Sequence, residues 1–134
     1  VGWSLGGIYA REIAKMLPNA VRQVVTLGTP FAGNGDENNV AWLYKLLNGS
    51  APVVDARLAQ RLRTTPPVPT TSIYSRSDGV VAWQTCLLDR SLEAENVEVE
   101  GSHIGLPWNP QVLHIVADRL RQPEGAWQRH VHRR

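Results

Sequence analysis

What most constrains this chain is an alternation. Three short runs, VRQVVTLG (21–28), TTSIYS (70–75) and NVEVE (96–100), are rich in β-branched residues, and each gives way to glycine or a serine-glycine turn. Between them lie stretches with helical spacing. A short apolar run bounded by turn residues reads as a buried strand. Strands separated by helices are joined by crossovers that leave them parallel. The pattern therefore predicts an α/β architecture, with a short, mostly parallel sheet flanked by helices.

The helical segments can be read in the same way. Ala10, Ile13, Ala14 and Leu17 follow the i, i+3, i+4, i+7 spacing of a buried face, with Arg11, Glu12 and Lys15 on the other side, and Pro18-Asn19 ends the pattern. Val40, Leu43, Tyr44 and Leu47 form a second stripe, over a helix expected from Asn38 to Asn48 and closed by Gly49. Asp55 to Arg63 predicts a short helix capped by Asp55, with Leu58 and Leu62 one turn apart. TTPPVP (64–69) is a stiff extended linker. The last helix has the clearest start, with Asn109 as N-cap and Pro110 at the first helical position. Leu113, Val116, Ala117 and Leu120 are expected to line its inner face, and Pro123 follows its end.

Composition narrows the possible functions. The chain has 134 residues, 43% hydrophobic and 19% charged, which is enough to build a core. Its net charge of +2 is uneven, because Arg119 to Arg134 hold five Arg and one Glu (+4), leaving −2 for the rest. A nucleic-acid binder spreads basic residues over a face or groove, whereas these cluster at a helix end and tail. Residues 123–134 are therefore expected to form a solvated basic tail, and no nucleic-acid partner is expected. The single cysteine, Cys86, excludes an intrachain disulfide. No apolar run approaches the ~20 residues of a membrane span.

The first residues carry the chemistry. Gly2-Trp3-Ser4-Leu5-Gly6 matches G-x-S-x-G, in which a serine is held on a tight strand-to-helix turn. Only Val1 precedes the motif to supply the strand. A serine hydroxyl needs a histidine to take its proton, and the histidine needs an acid to fix its tautomer. In the elbow arrangement these follow in the order serine, acid, histidine, each beyond the C-terminal end of a strand. Asp78 lies in SRSDGVV, just past the 70–75 run, and His103 lies in GSHIGL, directly after NVEVE.

Each residue alone has a plainer explanation. Small residues cluster at turns, an aspartate in a Ser/Gly loop often satisfies its own backbone, and a loop histidine can simply cap or pack. The order and placement of all three favour nucleophile, acid and base. The other histidines offer less. His114 falls on the polar side of the last helix, and His130 with His132 would make an incomplete metal site. Asp89, Glu93, Glu95, Glu98 and Glu100 read as a solvated charge cluster.

At this point the chain resembles the C-terminal part of an α/β-hydrolase, in the lipase and esterase branch. GWSLGGIYARE resembles the nucleophile elbow and its helix, VVTLGTPFAG the following strand and loop, IYSRSDGVVAW the acid-bearing strand and loop, and VEGSHIGLPWNPQVL the histidine loop and final helix. The likeness runs from Val1 to about Arg121. It implies Ser4 as nucleophile, His103 as general base, Asp78 as its orienting acid and the Leu5 backbone N–H as an oxyanion donor. It implies residues 1–122 as a partial hydrolase domain, residues 34–63 as an inserted lid or cap, and earlier strands and a second oxyanion donor that this sequence does not contain. The edge strand left unpartnered by that arrangement would favour self-association. No metal or organic cofactor is implied. The expected reaction is hydrolysis of a small-molecule or lipid-like ester through an acyl-serine, with acyl transfer to another acceptor, or an inactive fragment that serves only in interactions, as alternatives. Trp3, Trp42, Leu43, Leu46, Trp83 and Trp108 are candidates to line an apolar substrate site, with packing of the cap onto the core as the competing role.

Overall fold

The computed structural model describes residues 1–32, 49, 56–89 and 91–130. In chain order these form β1 (Gly2–Trp3), α1 (Leu5–Met16), β2 (Val24–Leu27), α2 (Ala56–Arg63), β3 (Thr70–Ser75), β4 (Ala94–Val99) and α3 (Pro110–Leu120), with 3-10 turns at Trp83–Cys86 and Leu106–Trp108. The expected helix over 38–48, the cap residue Asp55, and His132 lie outside the described residues.

The sheet is four-stranded in the order β1-β2-β3-β4, and every pairing is parallel. The motif itself supplies the strand that the sequence left to Val1, because Gly2 pairs with Thr26 and Trp3 with Leu27. β2 is buried on both faces, as a sheet layered with helices on each side requires. Val25, Leu27, Ile73, Val97 and Val99 pack with Leu106, Val112 and Ile115 from the α3 side. Leu5, Ile8, Phe31, Leu62, Leu88 and Ala94 form the second cluster, which α1 and α2 share. α2, the end of the stretch expected as a lid, is thus partly core, with Ala59 and Leu62 both buried.

Two helices present faces other than those expected. In α1 the buried positions are Leu5, Gly7, Ile8, Arg11 and Ala14, while Ile13 and Leu17 are about half exposed. Arg11 turns inward because the carbonyls at the end of α2 lack helical partners. Its Nη2 donates to the carbonyls of Leu62 (3.0 Å), Arg63 (3.4 Å) and Thr64 (3.1 Å), and its guanidinium lies 3.8 Å from the centre of the Phe31 ring. Burial lowers its pKa to about 10. In α3 the buried residues are Val112, Ile115 and Arg119, with Leu113 and Leu120 exposed. Asn109 caps this helix as expected, accepting from Gln111 N (2.9 Å) and Val112 N (3.5 Å).

The charged C-terminal region is also built into the fold. Glu95 is not part of a solvated cluster. It is buried in β4 beside Thr71, its register partner, and accepts from Thr71 Oγ1 (3.1 Å) and Arg119 Nη1 (2.9 Å). Residues 123–126, 128 and 129 are exposed, as in the expected solvated tail, but the stretch is fastened at its end. His130 N donates to Glu95 Oε2 (2.7 Å), His130 Nδ1 meets Asp118 Oδ2 (3.0 Å), and Arg129 Nη1 donates to the Ala94 carbonyl (2.8 Å).

Candidate active site

Ser4 occupies the turn between β1 and α1. Its φ of 57° and ψ of −125° put a non-glycine residue in the left-handed half of conformational space, a strain worth about 1–3 kcal/mol. Neighbouring atoms hold it there. Ser4 N donates to the Leu27 carbonyl (2.8 Å), and the Ser4 carbonyl accepts from Thr29 Oγ1 (2.9 Å). The elbow is crowded in a particular way. A Cβ on Gly2 would lie 2.4 Å from the Gly6 carbonyl oxygen, and one on Gly7 would lie 1.9 Å from Thr29 Oγ1, whereas Gly6 faces open space. The steric need therefore falls on Gly2 and Gly7, one position beyond the motif's last glycine.

Asp78 and His103 reach Ser4 from the C-terminal ends of β3 and β4. Ser4 Oγ lies 2.9 Å from His103 Nε2, and His103 Nδ1 lies 2.7 Å from Asp78 Oδ2. The second Asp78 oxygen accepts from Val80 N (2.9 Å) and Val81 N (2.8 Å), so both carboxylate oxygens are engaged. Burial works against its ionisation, but the bonds from His103, Val81 and Val80 outweigh that and hold its pKa below the ordinary aspartate value. An ionised Asp78 accepts from Nδ1–H, which leaves Nε2 free to accept from the Ser4 hydroxyl. Ser4 and His103 are 6% and 5% exposed, so both are almost wholly withdrawn from solvent. The nearby Cys86 thiol is pushed up to about 12 by burial, helped by the charge on Asp78, which leaves it inert at neutral pH.

The loop after β2 supplies residues that the sequence reading did not single out. Gly28 has a φ of 57°, and a Cβ there would lie 3.2 Å from both Asp78 Oδ2 and His103 Nδ1, against the bond between them. Thr29 supports Ser4 as described. Their only sequence signal was the Leu-Gly-Thr-Pro run, which carried a resemblance but no role.

The residues expected to line a substrate site fare unevenly. Trp3 lies beside His103: its Nε1 donates to the His103 carbonyl (3.0 Å), and its ring centre is 5.8 Å from the imidazole. Leu5 opens α1, so its N–H is among the first-turn donors without a helical partner. Trp83 stacks on Tyr74, with the Arg76 guanidinium 4.5 Å above its ring, and no described contact brings it to Ser4. Trp108 is 79% exposed. Trp42, Leu43 and Leu46 lie outside the described residues. A polar cavity of about 780 Å³, lined by His114, Arg121, Gln128 and Arg129 among others, includes none of Ser4, Asp78 and His103. Among the described residues, no group of three or more His, Cys, Asp or Glu side chains is arranged to hold a metal ion, and no helix is long and apolar enough to cross a membrane.

No family model matches the chain, and no curated protein matches it by sequence. Solved structures do. An α/β-superfamily hydrolase from Oenococcus oeni PSU-1 aligns with a TM-score of 0.63 at 16% identity, over 90% of this chain and 66% of its own. The esterase domain of a Rhodothermus marinus protein aligns with a TM-score of 0.60 at 22% identity, over 89% and 55%. An α/β hydrolase from the metagenome of Mar Chica lagoon sediments aligns with a TM-score of 0.52 at 20% identity, over 89% and 58%. The chain thus spans between about half and two-thirds of the length of these structures. At such identities the likeness is one of architecture, and the architecture of this chain is part of the α/β-hydrolase fold.

Proposed function

We propose that the protein is a serine hydrolase that cleaves carboxylic esters through an acyl-serine intermediate, with Ser4 as nucleophile, His103 as general base and Asp78 as orienting acid. The observation that carries this reading is the hydrogen-bonded line from Ser4 Oγ through both His103 nitrogens to Asp78 Oδ2. Ser4 Oγ attacks the ester carbonyl carbon while its proton passes to His103 Nε2. The oxyanion that forms is met by the Leu5 N–H. As the tetrahedral intermediate collapses, the C–O bond to the alcohol breaks and His103 returns the proton to the leaving oxygen. A water then repeats the sequence on the acyl-serine, releasing the acid and restoring Ser4. Asp78 stays ionised throughout and stabilises the imidazolium.

An apolar acyl group suits the surroundings. Ile104, next to His103 in sequence, is 69% exposed and offers an apolar surface beside the base. Apolar walls with few polar groups are typical of pockets for such ligands. The test uses the protein expressed from its complete reading frame, a series of p-nitrophenyl esters and a fluorophosphonate probe. Ser4→Ala is expected to abolish labelling and to remove at least about a thousandfold of ester turnover. A Ser4→Ala protein that still hydrolyses esters at the parent rate would overturn the assignment.

A further inference from the structure

We infer that Trp3 is a positioning residue for His103, acting through its indole N–H rather than as a wall of the substrate site. This rests on the proposed roles of Ser4 and His103. The two bonds to the imidazole nitrogens orient the ring only if the backbone of residue 103 is itself fixed, and that backbone lies in a loop. The loop's other anchors come from its own side of the site. Ser75 Oγ donates to the Gly101 carbonyl (2.7 Å), Asn109 Nδ2 to the Glu100 carbonyl (2.7 Å), and Leu106 N to the His103 carbonyl (3.3 Å). Trp3 Nε1, at 3.0 Å from the same carbonyl, is the described side-chain bond to that backbone from the strand bearing the serine.

That origin gives the bond its significance. Trp3 is paired with Leu27 in the sheet, and Ser4 N donates to the Leu27 carbonyl (2.8 Å), so residues 3 and 4 share one rigid support. From that support Ser4 Oγ contacts the His103 ring and Trp3 contacts the His103 main chain. The base is therefore located at two points relative to the nucleophile, which fixes separation and tilt together. The indole plane lies 35° from the imidazole plane at 5.8 Å, so the ring also limits how far the histidine can swing. Geometry of this kind sets rate more than affinity, because a displaced base slows proton transfer without weakening substrate binding.

The test separates the N–H from the ring. In the complete protein, Trp3 is replaced by 3-benzothienylalanine, which keeps the shape but has sulfur in place of N–H, and separately by Phe. Both variants are expected to lose about tenfold in kcat for p-nitrophenyl butyrate while KM stays within about twofold, the order expected when a hydrogen bond positioning a reacting group is lost. A benzothienylalanine variant with parental kcat, or one whose only change is a raised KM, would overturn the inference and return Trp3 to a wall of the site. The isostere decides the matter even if Trp3→Phe folds poorly. Ser4→Ala is measured alongside. If it retains turnover, the proposed function itself has failed, whereas an inactive Ser4→Ala with an unaffected Trp3 isostere rejects the positioning role alone.

Discussion

Thr29 and Ser4 are joined by a hydrogen bond from the threonine hydroxyl to the serine carbonyl, 2.9 Å long and buried. The same hydroxyl occupies the space that a side chain at Gly7 would need. One residue thus satisfies the acceptor at the strained turn and fits the bare surface of α1. Thr29→Val removes the donor but nearly keeps the shape; the Ser4 carbonyl keeps its bond from Gly7 N (3.1 Å), so the expected cost is that of one hydrogen bond, about 0.5–1.5 kcal/mol. Chemical denaturation measures it. Thr29→Ser should recover most of the loss, and a Thr29→Val protein as stable as the parent would show that the bond contributes nothing.

Gly28 offers a sharper probe of the site. Gly28→Ala forces a side chain into a backbone with φ of 57° and against the Asp78–His103 bond. Turnover by the complete protein is expected to fall by about ten- to a hundredfold with little change in KM. Unchanged turnover would mean that the Asp78–His103 contact tolerates displacement.

The pairing of Glu95 with Arg119 should dominate stability at the other end of the strands. Both side chains are almost fully buried, and their atoms meet at 2.9 Å. Glu95→Leu leaves the Arg119 charge without this partner and is expected to destabilise by about 3–5 kcal/mol. Replacing both, with Glu95→Leu and Arg119→Met, should return much of that loss. Equal stability of the single variant and the parent in urea would refute the expectation.

Acid should loosen the 122–130 segment before it unfolds the sheet. Hydrogen bonds from Arg119 and His130 lower the Asp118 pKa from 3.8 to about 2. A depressed folded-state value means that the folded chain binds fewer protons than the unfolded one, so the contribution is present above about pH 4 and lost as pH falls towards 2. Arg119, Arg121 and His130 all contact this carboxylate, while Glu95 holds Arg119 from the other side. Corrected for intrinsic exchange, the protection of amides 127–130 should fall between about pH 4 and 2, and Asp118→Asn should already lower it at about pH 5. Protection that stays constant across the window would contradict this reading.

The exposed side of α1 predicts behaviour of the 134-residue chain in isolation. Tyr9, Ile13, Met16 and Leu17 are 53%, 50%, 71% and 56% exposed, and the outer edge of β1 has no partner among the described residues. An exposed apolar stripe and an open strand edge each favour association. Sedimentation velocity of the isolated chain should show concentration-dependent oligomers, with Ile13→Lys and Met16→Lys together shifting them towards monomer. A monomer at all concentrations would rule out that surface as sticky.

The strands and helix starts were legible because their signals are local. TTSIYS became β3 residue for residue, and Asn109-Pro110 opens α3 as the capping rule requires. The buried faces of α1 and α3 were misread because both helices carry apolar residues on more than one side. Spacing alone selects Ile13, Leu17, Leu113 and Leu120, while Arg11 and Arg119 are the residues that turn inward instead. An arginine turns inward only if distant groups can receive it, here the end of α2 and Glu95, and no periodicity reveals them. Ser4, Asp78 and His103 were suggested by their order after strands. Gly28, Thr29 and the Trp3 bond depend on contacts between strand ends that are far apart in sequence.

Arg11 anchors more than α2. On one side of residues 33–55, Ala32 N bonds the Thr85 carbonyl at 2.8 Å, and Phe31 lies under the Arg11 guanidinium. On the other side, the end of α2 is held by that same guanidinium. Both abutments of the intervening stretch therefore rest on one pier, the helix that begins at the serine. A single buried guanidinium thus serves two segments that are distant in sequence, so replacing Arg11 would loosen the Phe31 loop and the end of α2 together.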